Sequence, residues 1–480
     1  MKKATLIAVG VFAVLLVAVL ATREEQVNVG VPKLSLPVVD KSKVTGVEVS
    51  GALAARLIKE GDGWVVVDPG KPDRKFPAEQ GQVSAMLDAL KDFRAGDFVS
   101  EKAERHAEFE VDEAKGLRVK VTHEGGKPLE LVVGKAAKAG GVYIREPGGK
   151  PVWTTRSALA SQVRKDAKGW RKRAFVNAKA DELTRLAVAL ADGQGFVAQH
   201  KDGAWALDES VKPPRGFRFD PGSVQRIAQQ LASLSAQDFG EPGAEDAAFG
   251  FDAPHAVVEA ATKDGRTLKL HLGRAADATA PVPARLEGDP QVYLLPSYSA
   301  QMLAKRLDDL RDMSLASFET AKAERLTITA AGKKTVVARE AGAWKLVEPK
   351  VTPAGYEFDP AQVTGQLETL RSLRGSRVVT DAKWSKPAIT VDVKLEGGGS
   401  QKIEVGSEIT GPNNSKQALA KGSVDALVYA VDPWVRQRLE RGLDLFRKPP
   451  PAPPMGGMKG LEQLPPEIRQ QIEAQLRSGR

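Results

Sequence analysis

The residues best suited to proton transfer or metal binding near neutral pH are the five histidines, His106, His123, His200, His255 and His271, and they are scattered along the chain. His271 falls in a run that alternates like a strand, with no histidine or carboxylate two residues away, so it does not form a ligand pair on one strand face. Asp308, Asp309 and Asp312 stand within one helical turn and could serve as acid–base carboxylates, but Lys305, Arg306 and Arg311 are interleaved with them. That mixture predicts salt-bridged solvent faces on a helix. Cysteine is absent, which excludes disulfides, thiol catalysis, zinc ribbons and a lipoprotein acylation site. No G-x-S-x-G elbow, phosphate-binding loop, dinucleotide fingerprint or H-E-x-x-H helix occurs. The expectation is therefore no catalytic, cofactor-binding or metal-binding residues, no cofactor, and a protein that is not an enzyme.

Trp64, Trp205 and Trp344 could stack on ligands, and they lead instead to the architecture. The phrases DGWVVVDP, GAWALDES and GAWKLVEP around them are variants of one motif, and the tryptophans lie 141 and 139 residues apart. Each stands one or two residues after a glycine and opens an apolar strand, the usual setting of a core aromatic. A second shared phrase follows in each copy, beginning at Lys75, Arg218 and Glu357. In the second, Asp220 reads as an N-cap with Pro221 at the first helical position, and Val224, Ile227, Leu231 and Leu234 recur at helical spacing. Asp359, Pro360, Val363, Leu367 and Leu370 repeat the arrangement. The first copy keeps the stripe in Val83, Met86, Leu87 and Leu90, and the cap is replaced there by Pro77-Ala78.

Two alternating runs broken by glycine come next, from Leu117, Ala256 and Ile389, and the EGGK, KDGR and EGGG breaks predict hairpins. Gly134, Gly273 and Gly406 close the second run. A further strand leads to Trp153, Tyr293 and Tyr429, and a second helix ends each copy at Phe175, Phe318 and Phe446. The predicted fold is α+β: three tandem diverged repeats of about 140 residues, each a mostly antiparallel sheet with two helices, after one N-terminal transmembrane helix. The boundaries read as an anchor at 1–25, a spacer at 26–39, repeats at 40–177, 178–319 and 320–447, and a Pro-rich linker with a short helix or tail at 448–480.

Lys2 and Lys3 precede the apolar run from Ala4 to Ala21, whose eighteen residues would span about 27 Å as a helix. This predicts an uncleaved inner-membrane anchor at residues 4–21, with a cytoplasmic N-terminus and the bulk of the chain in the bacterial periplasm. The competing reading is a cleaved secretory signal, with Val19 and Ala21 before a cut at Thr22. A buried soluble helix is the third. The net charge of +9 comes from 70 basic residues interspersed with 61 acidic ones, which predicts a solvated mixed surface and no nucleic-acid partner.

Taken together, the anchor, the tryptophan strand, the helix with Leu87 and Leu90, Leu231 and Leu234, or Leu367 and Leu370, and the strand-ending Gly134, Gly273 and Gly406 resemble the bacterial domain-of-unknown-function family numbered 4340. The resemblance covers roughly residues 4 to 447. It implies a fold built on packing motifs and an envelope protein working beside ABC-type export or gliding-associated transport components, and it supplies no functional residue. The resulting expectation is a non-enzymatic membrane-anchored scaffold or accessory subunit with a transporter-like membrane-protein partner. The rival is a cell-wall or glycan-binding envelope protein.

Overall fold

The first copy opens as an antiparallel meander, β1 (Val44–Ser50), β2 (Ala55–Glu60) and β3 (Gly63–Val67), bordered by β4 (Lys75–Pro77). Helix α1 (Gln80–Lys91) then leads to the opposite edge, where β5 (Phe98–Ser100) and α2 (His106–Phe109) precede a second meander. That meander comprises β6 (Leu117–His123), β7 (Leu129–Ala136), β8 (Val142–Arg145) and β9 (Val152–Thr155), and α3 (Leu159–Val163) closes the copy. Because β6 pairs with β1, the sheet runs β4-β3-β2-β1-β6-β7-β8-β9-β5. The computed structural model describes residues 34–449 apart from 35, 38, 92–95, 139, 156–158 and 242–244.

The second copy repeats this order with β10 (Leu183–Leu190), β11 (Gly195–Lys201), β12 (Ala204–Leu207), α4 (Pro221–Ala232), β13 (Asp238–Phe239), α5 (Asp246–Phe249), β14 (Ala256–Thr262), β15 (Thr267–Leu272), β16 (Val282–Leu286), β17 (Tyr293–Leu295) and α6 (Ser297–Leu303). The third has β18 (Ala323–Ala330), β19 (Lys333–Glu340), β20 (Ala343–Glu348), α7 (Pro360–Arg371), β21 (Arg377–Val378), β22 (Ile389–Leu395), β23 (Ser400–Thr410), β24 (Lys416–Gly422), β25 (Tyr429–Val431) and α8 (Pro433–Glu440). Their sheets run β12-β11-β10-β14-β15-β16-β17-β13 and β20-β19-β18-β22-β23-β24-β25-β21. The fold is α+β with three antiparallel sheets, as the alternating runs imply.

Local chemistry explains the recurrence. Asp202 and Gly203, at φ of 51° and 82°, form the two-residue loop before Trp205, and Ala341 and Gly342, at 52° and 83°, do the same before Trp344. Positive φ at both positions suits a type I′ turn, whose twist matches the strands it joins. The same bulge interrupts the first strand of every copy, after Val44, Leu183 and Ala323. Trp64, Trp205 and Trp344 are all buried, with Val83, Met86, Leu87 and Leu90 of α1 packed in the same core as Trp64, and Val363, Leu367 and Leu370 of α7 in that of Trp344.

The structure corrects several details. Each second meander has a strand that the hydropathy pattern did not separate, β8, β16 and β24, and each copy has a short edge strand after its long helix, β5, β13 and β21. The terminal helix is shorter than expected and gives way to 3-10 turns at Lys168–Trp170, Leu307–Leu310 and Gly442–Phe446. The first helix starts at Gln80, so Glu79 stands where Asp220 and Asp359 stand, and Pro77-Ala78 belongs to the preceding strand and bridge. Asp359 does cap its helix, accepting from Ala361 N at 3.0 Å.

Contacts divide the chain into two compact units. Unit 1 holds the first two copies, through Val211 and from Pro221 to Asp309; unit 2 holds Lys212–Asp220 and the third copy from Leu310 onward. Among the described residues no helix is long and apolar enough to cross a membrane. The expected anchor at 4–21 and residues 450–480 of the tail lie outside the described residues.

Candidate functional site

After the 3-10 turn at Lys168–Trp170 the backbone becomes extended at Arg171, with φ −72° and ψ 144°. Trp170 is fully buried in the first core and fixes where this stretch begins. On one side Glu79 N donates to Trp170 O at 2.8 Å and Lys172 N to Pro77 O at 2.8 Å; on the other, Ala236 N donates to Arg173 O at 2.9 Å. Residues 171–175 thus stitch the first copy to the helix end of the second within unit 1. Backbone pairing of this kind leaves few ways for the two copies to shift.

Arg171 is only 4% exposed, and its guanidinium lies between two rings, 3.4 Å from the Phe76 centroid and 3.9 Å from that of Phe239. Its Nη2 donates to Gln291 Oε1 at 2.6 Å, and its Nε is buried without a hydrogen-bond partner. Burial pushes this guanidinium down to about 10, which still leaves it charged at neutral pH.

Around Arg171 is a cleft of about 640 Å³ walled by Phe76, Phe175, Phe239 and Tyr293. Phe175 stacks on Tyr293 with centroids 3.8 Å apart and planes at 9°. Arg74, Lys75, Arg171 and Lys172 supply its cations and Asp289 its carboxylate. Arg74 is paired with Asp68 at 3.5 Å and Lys75 with Glu60 at 2.5 Å. Lys172 makes no ion pair among the described residues. Asp289 accepts from Tyr293 Oη at 2.8 Å and Gln291 N at 2.9 Å, and burial together with that carboxylate pushes the Tyr293 phenol up. The arrangement can hold an anion beside apolar surface.

The arginine–aromatic stack recurs. In unit 2 Arg311 lies 4.6 Å from the Phe217 ring and Arg447 5.1 Å from Tyr356. Asp220 N to Leu310 O and Asp312 N to Arg218 O repeat the first side of the stitch, as do Asp359 N to Phe446 O and Lys448 N to Glu357 O. Phe446 therefore occupies the place of Trp170 and Leu310, and not that of Phe175. In unit 2 the charges are closed: Arg218 donates to Asp312 at 2.7 Å and Asp425 at 2.9 Å, with Tyr429 Oη donating to Asp425 at 2.6 Å.

The residues weighed from sequence go elsewhere. His106 bonds Lys150 O at 2.8 Å, His200 packs edge-on to Trp205, His255 is exposed, and His271 faces Glu287 at 3.5 Å. His123 is turned inward with Nε2 unpartnered. Asp309 accepts from Arg306 N, whereas Asp312 leaves the expected solvent face and joins Arg218. Among the described residues no three carboxylates or histidines gather as a metal site.

The family described as Domain of unknown function (DUF4340) matches residues 64–248 and 210–392. The chain belongs to this family. Each DUF4340 match contains one whole stitching stretch, 171–175 in the first and 311–315 in the second, together with the stacked pairs Arg171–Phe76 and Arg311–Phe217. The family therefore includes the segment that joins copies as well as the parts of single copies. No curated protein and no solved structure matches the chain.

Proposed function

We propose that this DUF4340 chain is a non-enzymatic, membrane-anchored periplasmic scaffold or accessory subunit, which presents its three modules to a membrane complex of transporter type. The observation that carries this reading is what the copies have in common. Their shared polar feature is an arginine stacked on an aromatic ring where one copy's last extended stretch meets its own sheet edge. Such a set positions modules and moves no proton, because an arginine guanidinium stays charged through the physiological range. The apolar run at 4–21 supplies the anchor in this reading, with residues beyond 26 on the periplasmic side.

Mild crosslinking of the chain in its host, followed by purification and mass spectrometry, tests it. Recovery of integral membrane subunits supports the scaffold, and their absence from the crosslinked material counts against it. The rival reading, a cell-wall or glycan-binding protein, draws support from the aromatic, cation-bearing cleft at Arg171. Saturable and salt-resistant retention on isolated wall would favour it.

A further inference from the structure

We propose that the cleft in unit 1 is a binding site for a small monocarboxylate carried on an apolar body, the carboxylate facing Arg171 and Lys172 and the body lying against Phe175 and Tyr293. The inference holds independently of the scaffold role, because it rests on one site's charge and shape.

A buried arginine ordinarily has a counter-charge, since an uncompensated cation out of water is costly. Arg171 has no carboxylate within ion-pair distance among the described residues: Gln291 takes one of its five N–H groups, the rings cover its faces, and its Nε is left without a partner. Unit 2 differs at the position that follows its stacked arginine. Two residues after the buried Leu310 it carries Asp312, which pairs with Arg218; two residues after the buried Trp170, unit 1 carries Lys172. The first stitch thus carries a cation at the position where the second carries an anion that has its own partner, and an open cleft of about 640 Å³ lies beside it. That volume is in the range that holds small organic ligands.

The charge sum sets the ligand class. With Arg74 and Lys75 already paired, Arg171 and Lys172 face one lining carboxylate, Asp289, which leaves one positive charge to be met. A monoanion meets it, and a planar carboxylate matches the guanidinium fork. The stacked Phe175 and Tyr293 rings offer the flat apolar surface that a hydrocarbon or aromatic body would cover.

Isothermal titration of the purified full chain with N-acetyl-phenylalanine, its amide and inorganic phosphate tests the assignment. The expected result is saturable binding of the acid, with the amide weaker by about tenfold or more, the loss of one charge-assisted contact. Because Lys172 is exposed, Lys172→Glu should fold normally by circular dichroism and bind the acid about tenfold more weakly. Equal binding of acid and amide, undiminished binding by Lys172→Glu, phosphate binding in place of the acid, or no binding of the acid would each overturn the proposal.

Discussion

Replacing Arg171 with methionine puts a number on the claim that its charge is uncompensated. The side chain keeps its unbranched length between Phe76 and Phe239 and loses the guanidinium. Lost with the charge are two cation–ring contacts, worth about 0.5–1 kcal/mol each and more when desolvated, and one hydrogen bond from a charged donor, worth about 1.5–3 kcal/mol. Set against them is the burial that pushes the group down to about 10, a lowering equivalent to roughly 3 kcal/mol. Sulfur–ring contacts return a further ~0.3–1.5 kcal/mol. The opposing contributions nearly cancel, so Arg171→Met should change the unfolding free energy by less than about 1.5 kcal/mol, whereas Arg171→Ala, which leaves a void, should cost about 2–4 kcal/mol. The folded-state pKa lies below the unfolded one, so the burial penalty is fully present below pH 10 and the difference should be flat from pH 5 to 9. Urea unfolding followed by circular dichroism measures both variants. A loss above about 3 kcal/mol in Arg171→Met, or one equal to that of Arg171→Ala, would refute the reasoning, since the guanidinium would then be satisfied within the protein.

Gly273→Ala should destabilise by roughly 2 kcal/mol or more in thermal unfolding, because a Cβ there would sit 2.0 Å from Phe249 O, while Gly406→Ala comes no nearer than 3.2 Å to the Trp384 ring and should cost less than about 1 kcal/mol. Asp425→Asn takes from Arg218 one of its two carboxylates and should lower the urea midpoint of unit 2 by an amount equivalent to about 1–3 kcal/mol; an unchanged midpoint would mean that Asp312 alone holds the arginine. The Asp264 carboxyl is held down at about 2 by hydrogen bonds from Thr262 and Arg266, so its contribution is present above the usual carboxylate range and is lost as pH falls through 2. Asp264→Asn should therefore flatten the decline in melting temperature between pH 4 and pH 2, and an unaltered decline would contradict this.

The period of the chain was legible because tryptophan strands and helical stripes recur at 141 and 139 residues, and the EGGK, KDGR and EGGG breaks named the hairpins correctly. β8, β16 and β24 were not, because their neighbours are too close for alternation to separate one strand from two. The cleft was hidden for two physical reasons. Arg171 and Phe76 are roughly 95 residues apart and meet only in the folded chain, so no local pattern links them. The shared phenylalanine is also misplaced by the sequence pattern: Phe76 matches Phe217 and Tyr356, each four residues before its helix, and Ala78 matches Phe219 and Phe358. The likeness of KFP to RFDP sets Phe76 opposite Phe219 and hides both the helix start at Glu79-Gln80 and the threefold arginine–aromatic stack. The one available signal was an arginine directly after a buried large residue near the end of each copy, in Trp170-Arg171, Leu310-Arg311 and Phe446-Arg447.

The scaffold reading is tested most directly by fractionating the native host and following the chain by crosslinking, mass spectrometry and protease protection in spheroplasts. Full-length chain is expected in the inner-membrane fraction, digestible from the periplasmic side beyond residue 26 and crosslinked to integral membrane subunits. A shortened soluble chain lacking residues 1–21, crosslinked only to wall polymer, would contradict it.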